Sequence, residues 1–414
     1  MKKEKLWTRN FRLVILASAM GTVGSIAGGF ALAFLVFDET GSTLASALIV
    51  AIQLLPHLLL PVLVAPFMDR LPRKAFLVAG DAANAVLLAG MGLWLLFYEF
   101  SYVGYLAISL LLACLGAVDE LAFTSIYPEL IPEGAEQKGY AVSSMLYPVL
   151  KVIMTPLAAV LLDTFGVAWI LIAQSGLSLA AAVTESFIRL DETVRRHRTP
   201  YSLGAWAGDI RVAVQYLKQE RGLRSIYEYM AITNGVANGY SPLLVAFFRT
   251  TPGLTAAMYS AFSVVEFAGR TIGSALQYRI KIPAKRKYGF TFCVYQVYEA
   301  RDMCLLWLPY PLMLVNRGIC GFLGSNSAIL RNAAVQRYIP ERLRSRVNAF
   351  EGVLITAGAS IFALLMGLLG ELLDYRRCVT IGGAVAMLAS WLLIWGRRRD
   401  VRRVYTAEEC DTAP

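Results

Sequence analysis

Two apolar runs, residues 44–64 and 75–97, flank the short charged segment Ala65-Pro66-Phe67-Met68-Asp69-Arg70-Leu71-Pro72-Arg73-Lys74. Each run is long enough to cross a bilayer, which takes about 20 consecutive apolar residues. The whole chain follows suit. It is 57% hydrophobic and 16% charged, with a mean hydropathy of +0.56, whereas a soluble globular protein carries about 25% charged residues. The sequence is therefore that of a polytopic membrane protein, and arguments from a soluble core do not apply.

Twelve spans are expected, at roughly 12–37, 44–66, 75–97, 102–125, 141–162, 167–188, 225–248, 255–279, 288–307, 310–330, 346–370 and 377–396. Pro309 and Pro311 leave almost no loop between the ninth and tenth. With the N-terminus inside, 32 of the 39 Lys and Arg residues fall in cytoplasmic segments and only Arg249, Arg376 and Arg377 fall outside. Basic residues collect on the cytoplasmic side, so both termini are expected there. The net charge of +10 is then a topology signal, and a nucleic-acid partner is not expected. The basic start, Met1 to Lys5, precedes an apolar run too long for a signal peptide, which should remain as the first span. The six cysteines have no metal-ligand spacing and there are two histidines, so neither metal nor other cofactor is expected.

The charged segment carries more than topology, because positive-inside bias accounts for Arg70, Arg73 and Lys74 but not for Asp69 or the prolines. Asp69-Arg70-x-x-Arg73-Lys74, four residues after Ala65, resembles the loop between helices two and three of the major facilitator superfamily, Gly-x-x-x-Asp-Arg-x-Gly-Arg-Arg/Lys. Ala65 and Pro72 replace the two glycines. Pro66, and Pro128-Glu129-Leu130-Ile131-Pro132-Glu133 after span four, resemble the branch containing bacterial macrolide-efflux proteins and enterobactin exporters. The chain also repeats. Ile131-Pro132-Glu133 recurs as Ile339-Pro340-Glu341 at an offset of 208, and the same offset maps Ala65 onto Gly273, Asp69 onto Gln277 and Ala141 onto Ala349. Two six-helix halves, 1–188 and 225–396, are expected, joined by a cytoplasmic linker, 189–224, and followed by a tail, 397–414. The linker stretch Trp206 to Lys218 has the apolar spacing of an amphipathic helix on the cytoplasmic surface, with partner docking the alternative.

The resemblance implies an all-α bundle of twelve helices in pseudo-symmetric halves, spans one, four, seven and ten lining a central cavity, and a monomer in the bacterial plasma membrane. It implies a cytoplasmic gate of Asp69, Arg70 and Arg73 against the start of span eleven, with Arg344 and Arg346. The second-half copy, Gln277 and Tyr278, has lost that charge. In span five, Thr155-Pro156 keeps the proline but not the glycines of Gly-Pro-x-x-Gly-Gly in proton-coupled drug exporters of the family, which weakens the case for drug antiport.

Charged residues at membrane depth cost about 2.5 to 3.5 kcal/mol each and are functional candidates by default. Asp119 and Glu120 lie roughly 10 Å inside span four and are candidates for carrying a coupling proton, the alternative being a pair that anchors the helix end. Glu266 is a third candidate, although Arg270 four residues on favours a local ion pair. Arg317, alone in span ten, would attract an anionic substrate group or hold a carboxylate such as Asp119. Lys151 in span five awaits an acid partner. Glu185, one turn from the cytosol, is expected to snorkel, and Glu299, Arg301 and Asp302 to lie partly near the outer surface. Asn234, Asn238 and Tyr240 stand in a span weakened by Gly235, Gly239 and Pro242, the pattern either of a broken helix at a binding site or of close packing through small residues. Gly21, Gly24, Gly28 and Gly29 give span one a similar stripe.

The function expected is secondary active transport: alternating-access export of a small organic molecule against protons. Uptake or facilitated passage of another metabolite, and a non-transporting receptor or scaffold on the same fold, are the alternatives. No phosphate-binding Gly-x-x-x-x-Gly-Lys-Ser/Thr loop is present, and no catalytic group set suggests an enzyme.

Overall fold

A computed structural model describes residues 6–68, 72–132, 135–189, 203–279 and 282–406. Among the described residues it is helical, without strands. The order is α1 (Arg9–Thr40), α2 (Thr43–Met68), α3 (Arg73–Phe97), α4 (Tyr102–Leu130), α5 (Glu136–Ser186), α6 (Leu203–Gln219), α7 (Arg221–Thr250), α8 (Ala256–Arg279), α9 (Ala284–Cys304), α10 (Tyr310–Tyr338), α11 (Glu341–Leu372), α12 (Tyr375–Ala389) and α13 (Arg398–Thr406). Among the described residues, six helical stretches are long and apolar enough to cross a membrane: Arg9–Thr40, Arg73–Phe97, Tyr102–Leu130, Lys138–Ser186, Arg346–Leu372 and Tyr375–Trp395.

Local chemistry sets the ends. Thr8 caps α1 by accepting from the Phe11 amide at 3.2 Å. Gly41, at φ 64, ends the same helix in a left-handed conformation that glycine adopts without Cβ strain. Gly166, at φ 76 and ψ 173, divides α5 into two limbs where the fifth and sixth spans were expected to separate. The missing loop before span ten is a turn at Leu305–Trp307, after which Pro309 stands at the N-cap of α10 and Pro311 in its first turn; proline suits a first turn, whose amides have no helical partner.

The chain forms two compact units, residues 1–41 with 52–203, and residues 42–51 with 204–414. In the first unit, α1 packs on α5, and α3 on α4 and α5. The small residues of α1 make close approach possible: a Cβ on Gly28 would stand 1.8 Å from Gln174 Oε1. Arg73, 8% exposed, donates to the Ser125 carbonyl at 3.0 Å and pairs with Glu129 at 3.3 Å, tying the start of α3 to the end of α4.

In the second unit, α7 packs on α11 and α8 on α10. α7 runs unbroken through Pro242. Gly235 and Gly239 lie against Gly358 and Phe362 of α11, so the small residues of this span serve close packing and no break occurs. The α6 helix predicted in the linker is present, and it buries Ala213 and Leu217 in a cluster with Leu223 and Tyr227 of α7 and Tyr405 of α13. Part of the expected tail is helical. Val401, Val404 and Tyr405, at i, i+3 and i+4, fold as α13 and are at most 3% exposed, because that spacing puts all three on one helical face. The first turn of α2 is held within this unit by Glu371, whose Oε1 accepts from Ser42 Oγ at 2.6 Å and the Leu44 amide at 3.0 Å. Large apolar side chains such as Val86, Val103, Ile272 and Leu388 are exposed, as on helices whose outer faces meet lipid.

Candidate functional site

Side chains of the first unit line a cavity of about 810 Å³, within the range of small-molecule sites. The small residues of α1 (Gly21, Ser25, Gly28 and Gly29) form one wall and leave the space open. Gln53 and His57 come from α2, Asp81 and Asn84 from α3, Asp119 and Glu120 from α4, Ser143 and Tyr147 from the first limb of α5, and Gln174, Ser178 and Glu185 from the second. Apolar patches, among them Leu88, Met91 and Phe123, complete the lining. Among the described residues no Lys or Arg lines it.

The two acids of α4 have different surroundings, since adjacent helical residues point about 100° apart. Asp119 is half-buried with Gly80 of α3 beside it, and its Oδ1 is buried without a hydrogen-bond partner. Glu120 is exposed, and its Oε2 lies 3.8 Å from His57 Nε2, a loose contact that is an ion pair only when the ring is protonated. Sequence reasoning missed Asp81 and misplaced Glu185. Glu185 does not snorkel: it is 5% exposed, and its Oε2 is buried and unpartnered. A signal for both was legible. Leu171, Gln174, Ser178 and Glu185 fall at spacings of 3, 4 and 7, and Asp81, Asn84, Leu88 and Met91 at 3, 4 and 3, each a single helical stripe.

The second unit holds a separate charge network. Glu266 accepts from Arg270 Nε and Nη2 at 3.0 and 2.8 Å, and its other oxygen lies 2.8 Å from Arg317 Nη2. Arg317 is thus paired with Glu266; α8 and α10 pack so closely through Gly269, Gly318 and Gly321 that the two side chains meet. Glu299 and Asp302, expected near the outer surface, are 3% and 2% exposed. The face of α9 that carries them turns inward: Tyr229 of α7 donates to Glu299 at 3.4 Å, Cys320 of α10 to Asp302 at 3.7 Å, and Arg301 exchanges hydrogen bonds with Asn316 at 3.2 and 3.0 Å.

The remaining candidates fall as follows. Asn234 and Asn238 share a face of α7 but donate to the carbonyls one turn back, of Met230 and Asn234, both at 2.8 Å. Tyr240 is no cavity residue. It is 3% exposed and donates to the Val379 carbonyl at 3.2 Å, because Gly382 of α12 leaves room for its ring. The ammonium of Lys151 lies 5.6 Å from the ring of Tyr147. Of the expected gate, Asp69 and Arg70 lie outside the described residues, as does the side chain of Arg344. Arg73 makes the α3–α4 clamp, and Arg346 is exposed.

Comparison with known proteins places this architecture. The chain is 23% identical over 379 residues to the multidrug efflux pump Tap of Mycolicibacterium fortuitum, covering 88% of this chain and 90% of that one. It is 19% identical over 399 residues to the uncharacterized MFS-type transporter YvqJ of Bacillus subtilis (strain 168), covering 94% and 92%. Among solved structures, the nucleoside transporter NupG shares the fold with a TM-score of 0.73 at 9% identity, over 94% of this chain and 99% of that chain. A bacterial homologue of the human lysosomal transporter Spinster does so with a TM-score of 0.67 at 13% identity, over 96% and 92%. The sequence profile of the Major Facilitator Superfamily matches residues 13–296 and 303–410. With the helical architecture, the two units and this match over nearly the whole chain, the protein belongs to the Major Facilitator Superfamily, and it is a multi-pass membrane transporter and not an enzyme.

Proposed function

We propose that the protein exports a small organic molecule from the bacterial cytoplasm in exchange for protons, by alternating access. The observation that supports this reading is Asp119. A carboxylate in the cavity wall of a membrane span, with a buried oxygen that no protein group satisfies, is costly when charged and empty. It gains from a proton in one half of a cycle and from exchange for substrate in the other. Similarity to a multidrug efflux pump over most of both chains supports export as the direction of transport.

In inverted vesicles with an imposed pH gradient, the wild-type protein is expected to accumulate substrate from a panel of cationic, neutral and anionic compounds. Asp119→Asn should lower gradient-driven accumulation at least 10-fold while substrate binding to the purified protein persists. Wild-type accumulation by the Asp119→Asn, Glu120→Gln double variant would move the coupling site elsewhere, and Glu266 would be examined next.

The proposed orientation places residues 189–224 in the cytoplasm, as the distribution of bases requires. A single cysteine at Ser202, in a cysteine-free background, should react with an impermeant maleimide in inverted vesicles and not in intact cells. Rapid labelling from outside intact cells would reverse the topology.

A further inference from the structure

The cavity of the first unit gathers four carboxylates from three helices: Asp81 on α3, Asp119 and Glu120 on α4, and Glu185 on the second limb of α5. Glu185 is the most deeply buried of the four. It is 5% exposed, it lines the cavity, and its Oε2 is buried without a hydrogen-bond partner. A buried carboxylate oxygen normally has one, because leaving it bare costs the desolvation of the group. Asp119 Oδ1 is in the same condition. Two bare oxygens beside one cavity leave a positive ligand group or protons as the natural partners.

The rest of the lining agrees. Among the described residues no Lys or Arg answers these acids, and His57 is loosely opposed to Glu120 alone. The other polar groups are amides and hydroxyls, which orient a ligand without supplying charge. The described residues hold no group of three or more His, Cys, Asp or Glu arranged to hold a metal ion, so an inorganic cation is not the fit. Leu88, Met91, Leu112 and Phe123 offer apolar and aromatic surface beside the acids, and a ring face adds attraction for a cation.

We propose that this cavity selects organic cations, with Asp81, Asp119 and Glu185 holding the positive centre and the apolar surface holding the body of the molecule. The inference rests on the transport reading above and adds the substrate class. An anion would meet several carboxylates that no Lys or Arg of the lining compensates. Protons and substrate compete for the same oxygens. The titratable groups facing that centre are His57 from α2, Asp81 from α3, Asp119 and Glu120 from α4, Tyr147 from the first limb of α5 and Glu185 from the second; α1 contributes none, and Lys151, over the Tyr147 ring at 5.6 Å, is outside the lining.

The test is equilibrium binding to the purified full chain in lipid nanodiscs, with empty nanodiscs subtracted. Tetraphenylphosphonium and tetraphenylborate serve as probes of nearly one shape and opposite charge. The phosphonium should bind saturably at pH 8 and at least 10-fold more weakly at pH 5.5, and the borate should not bind saturably. Glu185→Gln and Asp81→Asn should each weaken phosphonium binding about 10-fold or more. Glu185→Asp, which keeps the charge, should retain most of it and shows that loss in Glu185→Gln is not misfolding. Absence of phosphonium binding to wild type, borate binding of similar strength, or Glu185→Gln within twofold of wild type each overturns the proposal. Charge-selective binding together with absent proton-driven transport would leave the cation site standing and remove the coupling reading. Proton-driven transport of neutral or anionic compounds alone would do the reverse.

Discussion

Adding one methyl group at Gly321 is expected to destabilise the second unit severely. A Cβ there would sit 2.2 Å from the Glu266 carbonyl oxygen, and one on Gly269 would sit 2.0 Å from the Gly318 carbonyl oxygen. Both obstacles are backbone atoms of the facing helix and cannot turn aside as a side chain would. α8 and α10 must then separate along the contact that carries the Glu266–Arg317 ion pair. Between membrane helices, close backbone approach is a principal source of association, because lipid is as apolar as the side chains. Overpacking commonly costs about 1 to 3 kcal/mol, and an immovable partner places Gly321→Ala at or above the upper end. Gly289→Ala is the control. Its Cβ would meet nothing within 4 Å, so the higher helix propensity of alanine, up to about 1 kcal/mol, should act alone. Detergent-solubilised Gly321→Ala should yield little monodisperse protein, whereas Gly289→Ala should melt at or slightly above wild type. A Gly321→Ala protein with wild-type yield and melting temperature would show that α8 and α10 do not pack this way.

The second large effect concerns Glu266 and Arg317. Their side chains are each 21% exposed and meet at 2.8 Å, and Arg317 Nε is already buried without a partner. Glu266→Ala leaves Arg317 in that place without its ion pair. Breaking a buried pair from one side commonly costs about 3 to 5 kcal/mol, and Asp302, which also acts on Arg317, holds the expected loss near about 3 kcal/mol. Removing both charges should cost much less, since an apolar pair of similar volume is often as stable. Glu266→Ala should therefore show a large fall in thermal stability, and Glu266→Ala with Arg317→Met should recover most of it. Equal melting of wild type and Glu266→Ala, joined to loss of proton-driven transport, would instead assign Glu266 to the chemistry.

Much of the architecture could be read from the chain. The apolar runs required membrane-spanning helices, because about 20 apolar residues match the hydrocarbon thickness. The Asp69 to Lys74 segment and the 208-residue repeat pointed to the family that the profile match establishes. Asp119 announced itself as a charge in an apolar run. These are properties of local composition and spacing, and they survive whatever the helices pack against.

The direction in which each helix faces was decided elsewhere. In a soluble helix one polar face marks the outside, but in lipid both faces are apolar and that mark disappears. Glu185 therefore read as a snorkelling end residue and Glu299 and Asp302 as near-surface groups, although all three are at most 5% exposed. The partner of Arg317 lies on another helix, 51 residues away in sequence at Glu266, and no local pattern names it. The convergence of Asp81, Asp119 and Glu185 on one cavity likewise needs α3, α4 and the second limb of α5 to be set side by side. That placement depends on helix-to-helix approach at positions such as Gly28 against Gln174. The sequence determined that the chain spans a membrane as helices of this family, because hydrophobic length is a property of each segment alone. Only the tertiary structure decided which charges share a cavity and which neutralise one another, because those are distances between segments.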